Sequence, residues 1–384
     1  MTAFPPPPAR PRLLHGRAFV GGEVREQVTV AIDGGAIAAV RVGEAPPVGA
    51  ERVEGVLAPG FVDLHVHGGA GADFMDGTVE AVRTACAFHA RHGTVALAAT
   101  TLSAGRAAVG AAVAAAAAVA REPRPGEAHI AGIHLEGPYL NPAKAGAQDP
   151  AALRAADREE VEEWLAAAGP LPVLMTLAPE VPGALELIEA LAGRVTFSLG
   201  HTEASAELAA AALRRGARHF THLWNAMPPL HHRRPGTVGA ALASEAATVE
   251  LIADGLHVHP LLLAACARLL PDRVALVTDA MRAAGMPPGA YRLGSLEVEV
   301  GAGAARLADG TLAGSLLTMD AAVRTMVRAG LPLARVLPLA SAVPARVLGL
   351  STHGRIAAGA AADLVALDEE LTASRVWIAG EQVA

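Results

Sequence analysis

Five histidines and two carboxylates fall at the ends of apolar segments, where their side chains could meet around a metal ion. They are His65, His67, Glu136, His201, His222, His257 and Asp279. Residues two apart on a strand share a face, so His65 and His67 can bind one cation. Neutral imidazole suits zinc, iron and similar metals. One carboxylate with two imidazoles leaves a fourth position for water, which is typical of catalytic rather than structural zinc.

Each of these residues also has a simpler interpretation. His201 or His222 alone could be a hydrogen-bonded core histidine, and Asp279 could be a helix N-cap. Beside a water activated by a metal, a catalytic role for Asp279 is the better interpretation. It can accept a proton from that water as a general base and later return the proton to a leaving amine.

Alternating strand and helix patterns must position these residues. Amphipathic stretches that predict helices include residues 79–90, 104–120, 151–167 and 205–213. The apolar segments that predict eight strands are residues 57–67, 94–100, 130–136, 173–177, 195–200, 219–223, 249–253 and 274–278. Eight such units predict an α/β fold, a closed (β/α)8 TIM-type barrel, whose functional residues lie at the C-terminal strand ends.

Both ends of the chain show short strand and turn patterns. Asp33-Gly34-Gly35 predicts a β-hairpin between residues 28–32 and 37–40, because Asp-Gly supports the positive φ angles of a tight turn. Strand patterns return at residues 362–367 and 375–379. We therefore expect a flexible arm at residues 1–12, a small β-sandwich domain from residues 13–57 and 345–384, and a catalytic barrel from residues 58–344. Within the barrel, residues 281–314 form an insertion expected to contain a hairpin, and residues 315–329 the eighth helix.

The composition restricts the class of protein. A formal net charge of −7 argues against nucleic-acid binding, although a few arginines can still make one pocket basic. The two cysteines, Cys86 and Cys266, lie far apart and favour reduced core thiols in a cytoplasmic protein. The Pro-rich N-terminus does not resemble a signal peptide. The longest apolar run, residues 107–120, is shorter than the roughly 20 residues of a membrane span, so no membrane association is expected.

Several longer motifs resemble those of a known family. They include His134-Leu135-Glu136-Gly137-Pro138, Gly200-His201-Thr202, Asn225-Ala226-Met227-Pro228 and Leu312-Ala313-Gly314-Ser315. Over nearly its whole length the chain resembles the N-acetylglucosamine-6-phosphate deacetylases of the amidohydrolase superfamily. The resemblance implies a metal-dependent hydrolase that converts N-acetyl-D-glucosamine 6-phosphate to D-glucosamine 6-phosphate and acetate. It also implies one or two divalent ions per subunit, zinc or iron, and a homodimer in which the loop at residues 231–234 of a neighbouring subunit completes the phosphate site.

The resemblance further implies roles for individual residues. Glu136, His201 and His222 match the principal metal ligands, and Asp279 matches the catalytic acid/base. His65 and His67 match a second metal position, which Glu136 would bridge. The substrate contacts correspond to Ala147, Gln148, Asn225, Ala226, Arg233, His257, Leu312, Ala313 and Gly314. Arg233 and His257 suit a phosphate dianion through charge-assisted hydrogen bonds.

Two departures from the family pattern leave the substrate preference open. Gln148 stands where many relatives have His, and Arg234 follows Arg233 where Glu is common. Neither change removes a catalytic group. The alternatives are a related sugar such as N-acetylgalactosamine 6-phosphate, or another amide. A non-catalytic sugar-phosphate-binding protein would require lost metal ligands, and all of them are present.

Three other residues are interpreted as lying outside the ligand set. Asp63 shares the face of His65 and His67 but matches no ligand position. Lys144 lies in a loop rather than at a strand end, so it is rejected as a carboxylated, metal-bridging lysine. For His219 the sequence indicates no partner, and a core or surface role is expected.

Overall fold

The fold is described from a computed structural model over residues 12–384, so the predicted arm falls outside the described residues except for Arg12. The strands in chain order are β1 (Arg12–Val20), β2 (Glu23–Asp33), β3 (Ala36–Val42), β4 (Glu51–Pro59), β5 (Phe61–Val66), β6 (Gly68–Gly69), β7 (Ala72–Asp73), β8 (Thr94–Thr101), β9 (His129–Glu136), β10 (Val173–Leu177), β11 (Val195–Leu199), β12 (His219–Phe220), β13 (Thr248–Ile252), β14 (Val274–Val277), β15 (Gly289–Leu293), β16 (Leu296–Gly301), β17 (Ala304–Arg306), β18 (Leu364–Leu367), β19 (Ala373–Ile378) and β20 (Glu381–Gln382). The α-helices are α1 (Val79–Ala90), α2 (Arg106–Arg121), α3 (Arg158–Ala168), α4 (Ala184–Leu191), α5 (Ala206–Arg215), α6 (Gly236–Ala243), α7 (Pro260–Leu269), α8 (Met319–Arg328), α9 (Leu333–Ala340) and α10 (Ala342–Val347).

Eight parallel strands form the barrel, in the order β5, β8, β9, β10, β11, β12, β13, β14. The last strand returns to the first through a parallel bridge between Val66 and Ala280 and a bond from the Asp279 amide to the His65 carbonyl oxygen at 2.8 Å. Every residue of β8, β13 and β14 is buried, as expected for parallel strands covered on both faces. The (β/α)8 barrel predicted from the sequence is confirmed.

The predicted strand at residues 57–67 proves to be two strands in different sheets. β4 pairs with β1 and β18 near the chain termini, whereas β5 pairs with β8 in the barrel. Gly60 lies between them, and a Cβ atom there would come within 2.3 Å of a Val95 methyl group. Only glycine fits this close approach. The apolar pattern continues through the break, which is why the sequence did not indicate it.

Two predicted helices begin a turn or more later than expected. α3 starts at Arg158 because the Asp157 carboxylate accepts bonds from the amides of Glu159 and Glu160 at 2.9 and 3.3 Å. α8 starts at Met319, because the preceding segment first follows the barrel edge through a bridge between Ser315 and Ala280. The insertion at residues 281–314 holds a three-stranded antiparallel sheet, β15-β16-β17, where one hairpin was expected.

Both ends of the chain contribute to one seven-stranded sheet, in the order β20-β19-β18-β4-β1-β2-β3. The sheet curls on itself, since the Ile37 amide donates to the Ala360 carbonyl oxygen at 2.8 Å. Alternate side chains of β18 serve two cores: Leu364 packs inside the curled sheet, and Val365 packs against the barrel. The β domain built from both termini is confirmed, and the numerical limits of the domains stay a prediction.

The two cysteines are buried and unpaired. Burial raises the pKa of the Cys86 thiol above its usual range, so this thiol is unreactive near neutral pH. In the part of the chain that the structure describes, no helix has the length and apolar character needed to cross a membrane.

His89, on α1, is buried and held neutral. Its Nε2 donates to the Gly68 carbonyl oxygen at 2.9 Å, and burial lowers the pKa of His89 to about 4. The folded-state pKa lies below the ordinary value of 6.5, so the folded protein binds fewer protons than the unfolded chain between these values. The contribution of His89 to stability is therefore present above about pH 6.5 and is lost as the pH falls towards about 4.

We expect His89→Gln to flatten this acid dependence, because glutamine can donate to Gly68 but cannot ionise. The free energy of unfolding of the variant should fall less between pH 6.5 and about 4 than that of the wild type, by up to roughly 3 kcal/mol. Urea unfolding at a series of pH values measures this. His232→Gln, at an exposed histidine, is the control and should follow the wild type. Parallel curves for His89→Gln and wild type would contradict the assignment.

Candidate active site

Three side chains from three strand ends direct ligand atoms at one point. Glu136 ends β9, His201 follows β11, and His222 follows β12. The Nε2 atoms of the two histidines are 3.0 Å apart, and Glu136 Oε1 lies 3.2 and 3.1 Å from them. Two imidazole nitrogens and one anionic oxygen at this spacing fit a divalent cation about 2.0–2.2 Å from each. The structure thus brings the three predicted principal ligands together.

A second group of ligand atoms adjoins the first. The Nε2 atoms of His65 and His67 are 3.3 Å apart, and they lie 3.5 and 3.2 Å from Asp279 Oδ1. Glu136 belongs to both groups, because its Oε1 is 3.4 Å from His65 Nε2 and its Oε2 is 3.3 Å from His67 Nε2. The chain therefore offers two adjacent positions for a divalent metal, with Glu136 between them.

The backbone is unusual where these residues leave their strands. His201, His222 and Asp279 have φ angles of 47°, 29° and 48°, in the left-handed region that non-glycine residues rarely occupy. Such conformations cost on the order of 1–3 kcal/mol each and persist where the surrounding structure enforces them, typically at functional sites. Here they turn the chain directly after the strand while the side chain stays at the barrel mouth.

The carboxylates and histidines shift one another's pKa values. Burial lowers the pKa of His67, but its hydrogen bonds with Asp279 and Glu136 outweigh this effect and raise the pKa to about 9. Burial opposes ionisation of Glu136, yet His65, His201 and His222 hold the pKa of this carboxyl well below its usual range. A ligating imidazole must be neutral, so a bound cation would take the place of these histidine protons.

Neighbouring groups orient the principal ligands. Gln148, expected to contact substrate, donates from Nε2 to Glu136 Oε2 at 2.5 Å. The Nδ1 atom of His201 donates to the Lys144 carbonyl oxygen at 2.8 Å, which leaves His201 Nε2 free to bind a metal. These hydrogen bonds orient the proposed metal ligands, but Gln148 and Lys144 are not themselves ligands.

Sequence reasoning missed Glu250, a buried carboxylate on β13. Its Oε2 accepts from His65 Nδ1 at 3.0 Å and from the His222 amide at 3.1 Å. His219, for which the sequence indicated no partner, donates from Nε2 to Glu250 Oε1 at 3.1 Å. The available signal was a carboxylate inside the otherwise apolar run 249–253.

Asp63 lies beside the ligands. It accepts from the Thr278 hydroxyl at 2.6 Å and from the His65 amide at 3.2 Å, and burial raises the pKa of Asp63 to about 7. These contacts fix the backbone that carries His65 and the strand end that precedes Asp279.

A cavity of about 500 Å³ opens onto both ligand groups. Of the predicted substrate contacts, its wall includes Ala147, Gln148, Asn225, Ala226, His257, Leu312 and Gly314. Arg233 lies exposed in the loop at residues 231–234, and Ala313 is buried; neither belongs to the described wall. Two cationic side chains that sequence reasoning did not assign to substrate, Lys144 and Arg306, do line the cavity. Arg306 lies on β17, whose pairing the sequence did not predict.

The chain is similar to known proteins over most of its length. The profile of the Amidohydrolase family matches residues 56–383. The N-acetylgalactosamine-6-phosphate deacetylase of Escherichia coli O157:H7 is 40% identical, over 86% of this chain and 88% of its own. The N-acetylglucosamine-6-phosphate deacetylase of Vibrio furnissii is 37% identical, over 97% and 93%.

Solved structures are similar over the whole fold. A mutant N-acetyl-D-glucosamine-6-phosphate deacetylase from Mycobacterium smegmatis, in complex with N-acetyl-D-glucosamine-6-phosphate, has a TM-score of 0.93 and 39% sequence identity. The similarity covers 98% of this chain and 100% of that one. With the family profile matching most of its length, this chain belongs to the amidohydrolase family.

Proposed function

We propose that this protein is a metal-dependent deacetylase that hydrolyses N-acetyl-D-glucosamine 6-phosphate to D-glucosamine 6-phosphate and acetate. The observation that carries the proposal is the convergence of Glu136, His201 and His222, whose ligand atoms lie within 3.2 Å of one another at the base of a cavity that Asp279 also lines. The family membership and the activities named for its relatives support the same reaction.

The chain's own groups divide the chemistry between them. A divalent metal held by the three ligands would polarise the acetamide carbonyl and lower the pKa of the attacking water. Asp279 accepts a proton from that water as the new C–O bond forms, and returns it to the nitrogen as the C–N bond breaks. In the metal-free site burial opposes ionisation of Asp279, but the charges of His65 and His67 outweigh it and lower the pKa of Asp279, and a bound cation would supply that positive charge in place of the histidine protons. Asp279 is thus ionised, and able to accept a proton, at neutral pH.

The phosphate of the substrate is proposed to lie at the cationic part of the cavity wall. Lys144 Nζ pairs with Glu203 at 2.8 Å, so its charge is partly neutralised. Arg306 is exposed and forms no ion pair with a carboxylate of the described residues, and one of its nitrogens donates to the Gly310 carbonyl oxygen at 2.8 Å. The remaining guanidinium N–H groups are available to a phosphate. His257, whose Nδ1 is 2.6 Å from Asp254 Oδ2, adds a third group on this wall.

We also propose that the protein is a homodimer. Arg233 is not part of the cavity wall of its own chain. In a homodimer, the loop at residues 231–234 of the second copy would bring that copy's Arg233 to the phosphate.

Asp279→Asn should lower acetate release by at least about 10²-fold, because general acid–base catalysis contributes roughly 10²–10⁴-fold. The principal metal and the substrate should stay bound, since Glu136, His201, His222 and Arg306 are unchanged. The measurements are turnover, metal content and substrate affinity of the purified variant. Activity near that of the wild type would remove Asp279 from the proposed mechanism.

Metal binding should stabilise the fold, because a ligand present at about 100 times its Kd adds about 2.7 kcal/mol to the free energy of unfolding. Chelator treatment should lower the thermal midpoint, and zinc should restore it. Glu136→Gln should abolish that response. The matched control is Glu160→Gln, which removes another buried carboxylate, bonded to Tyr139 and Arg154 away from the site, and should keep the zinc response. A zinc response that survives in Glu136→Gln would contradict the ligand set.

Arg306→Ala should raise KM for N-acetylglucosamine 6-phosphate by about 10- to 100-fold, the loss expected for a charge-assisted hydrogen bond. Activity on unphosphorylated N-acetylglucosamine should not change. Arg233→Ala, in the same assay, separates the two cationic sites: a rise in KM there supports a loop contributed by a second copy. Equal losses on both sugars in Arg306→Ala would contradict a phosphate contact.

A second candidate substrate is N-acetylgalactosamine 6-phosphate. The relative from Escherichia coli O157:H7 is named as the deacetylase of that sugar phosphate. The two sugars are epimers with the same acetamide and phosphate, so the same site chemistry serves both. The ratio of kcat/KM on the two phosphorylated epimers decides between them.

A further inference from the structure

Glu250 lies beneath the two proposed metal positions and belongs to neither. It sits on β13 between buried apolar neighbours, and it is 0% exposed to solvent. A carboxylate buried in this way is costly unless hydrogen-bond donors satisfy its oxygens. The donors around Glu250 therefore indicate what its charge does for the fold.

Both oxygens of Glu250 are occupied by donors from the site. Oε2 accepts from His65 Nδ1 at 3.0 Å and from the His222 amide at 3.1 Å, and Oε1 accepts from His219 Nε2 at 3.1 Å. The Glu250 backbone carbonyl oxygen also accepts from the Leu223 amide at 2.9 Å. One residue thus binds the ring of a proposed second-position ligand and the backbone of a principal ligand.

The bond to His65 determines its tautomer. An ionised carboxylate can only accept, so the proton of the neutral imidazole lies on Nδ1 and the lone pair on Nε2. That Nε2 faces His67 Nε2 at 3.3 Å and Asp279 Oδ1 at 3.5 Å. By contrast, the buried Nδ1 atom of His67 has no hydrogen-bond partner among the described residues. Of the two second-position histidines, His65 is the one that a carboxylate orients.

Glu250 is not itself a ligand of a third metal with His65 and His134, although their ligand atoms lie close together. His134 Nδ1 bonds to the Leu64 carbonyl oxygen at 3.0 Å, and its Nε2 bonds to the Thr176 hydroxyl at 2.7 Å. Both nitrogens of His134 are therefore engaged. The contact between Glu250 and His65 is a hydrogen bond.

We propose that Glu250 is a positioning residue that creates the second metal position, by holding His65 in the ligating tautomer and orientation. Through the His222 amide it also fixes the second position relative to the first. The inference rests on the proposed ligand set and deepens it: the chain retains a two-metal site because a buried carboxylate on a different strand supports His65. Partners of this kind typically change metal affinity by about 10- to 100-fold.

The test is the number and affinity of bound metal ions. Metal-free wild type, Glu250→Gln and the control Glu160→Gln are titrated with cobalt(II), followed by visible absorption and by metal content after dialysis. We expect two equivalents for wild type and for the control. For Glu250→Gln we expect one tight equivalent and a second weakened by about 10- to 100-fold, because a neutral amide is a weaker acceptor for His65 Nδ1 and cannot accept hydrogen bonds at both of its polar atoms.

Further variants separate positioning from general damage to the fold. Glu250→Asp keeps the charge but withdraws it from His65, and should weaken the same second equivalent even if Glu250→Gln does not fold. His65→Gln should weaken the second equivalent, and Glu250→Gln added to it should weaken that equivalent by much less than it does in the wild type, since Glu250 acts on the second position through His65. Additive losses in the double variant would overturn the inference.

The outcomes distinguish this inference from the proposed function. Two equivalents of unchanged affinity in Glu250→Gln would overturn the positioning role alone. A wild type that binds a single equivalent would also overturn it, while leaving the site of Glu136, His201 and His222 intact. A wild type that binds no metal would overturn the proposed ligand set itself.

Discussion

The carboxylate of Glu136 is the anion around which the site is assembled. Its Oε1 lies within 3.4 Å of the Nε2 atoms of His65, His201 and His222, and its Oε2 within 3.3 Å of His67 Nε2. A buried carboxylate is strongly unfavourable unless such partners surround it. Because these histidines come from or follow β5, β11 and β12, satisfying one charge on β9 ties four strand ends together.

The interior of the barrel carries this charge because it is polar below the site. His134 Nε2 bonds to the Thr176 hydroxyl at 2.7 Å, Thr176 to Thr221 at 2.6 Å, and Thr221 to Ser198 at 2.5 Å. These bonds link β9, β10, β11 and the residue after β12, across positions where barrels usually pack apolar layers. A fully connected polar network holds the strand ends rigidly, whereas an incomplete one would destabilise the fold. The geometry of the proposed metal positions therefore depends on this hydrogen-bond network as well as on the ligands.

The sequence predicted the elements whose signals are local. Strand periodicity and a carboxylate or histidine at the strand end are visible in a few residues, so the barrel and the meeting of Glu136 with His201 follow from the pattern. Glu250 could not be found in this way, because its partner His65 lies 185 residues away. Arg306 depends on a strand in an insertion, and Gly60 on the contact with a later strand. Each of these requires knowledge of which distant segments touch.

Three buried carboxylates of the site, Glu136, Glu250 and Asp279, differ in how many of their oxygens already have partners, and this difference supports different proposed roles. Both oxygens of Glu250 are held by donors, and both oxygens of Glu136 face histidines. For Asp279, the histidine contacts fall on Oδ1. Its side chain is 12% exposed, against 3% for Glu136 and 0% for Glu250. Proton transfer requires an oxygen that can reach the water and the leaving nitrogen. Of the three, Asp279 alone has an oxygen, Oδ2, without a histidine contact among the described residues, and this supports the proposal that Asp279 is the general base, Glu136 a metal ligand and Glu250 a residue that positions a ligand.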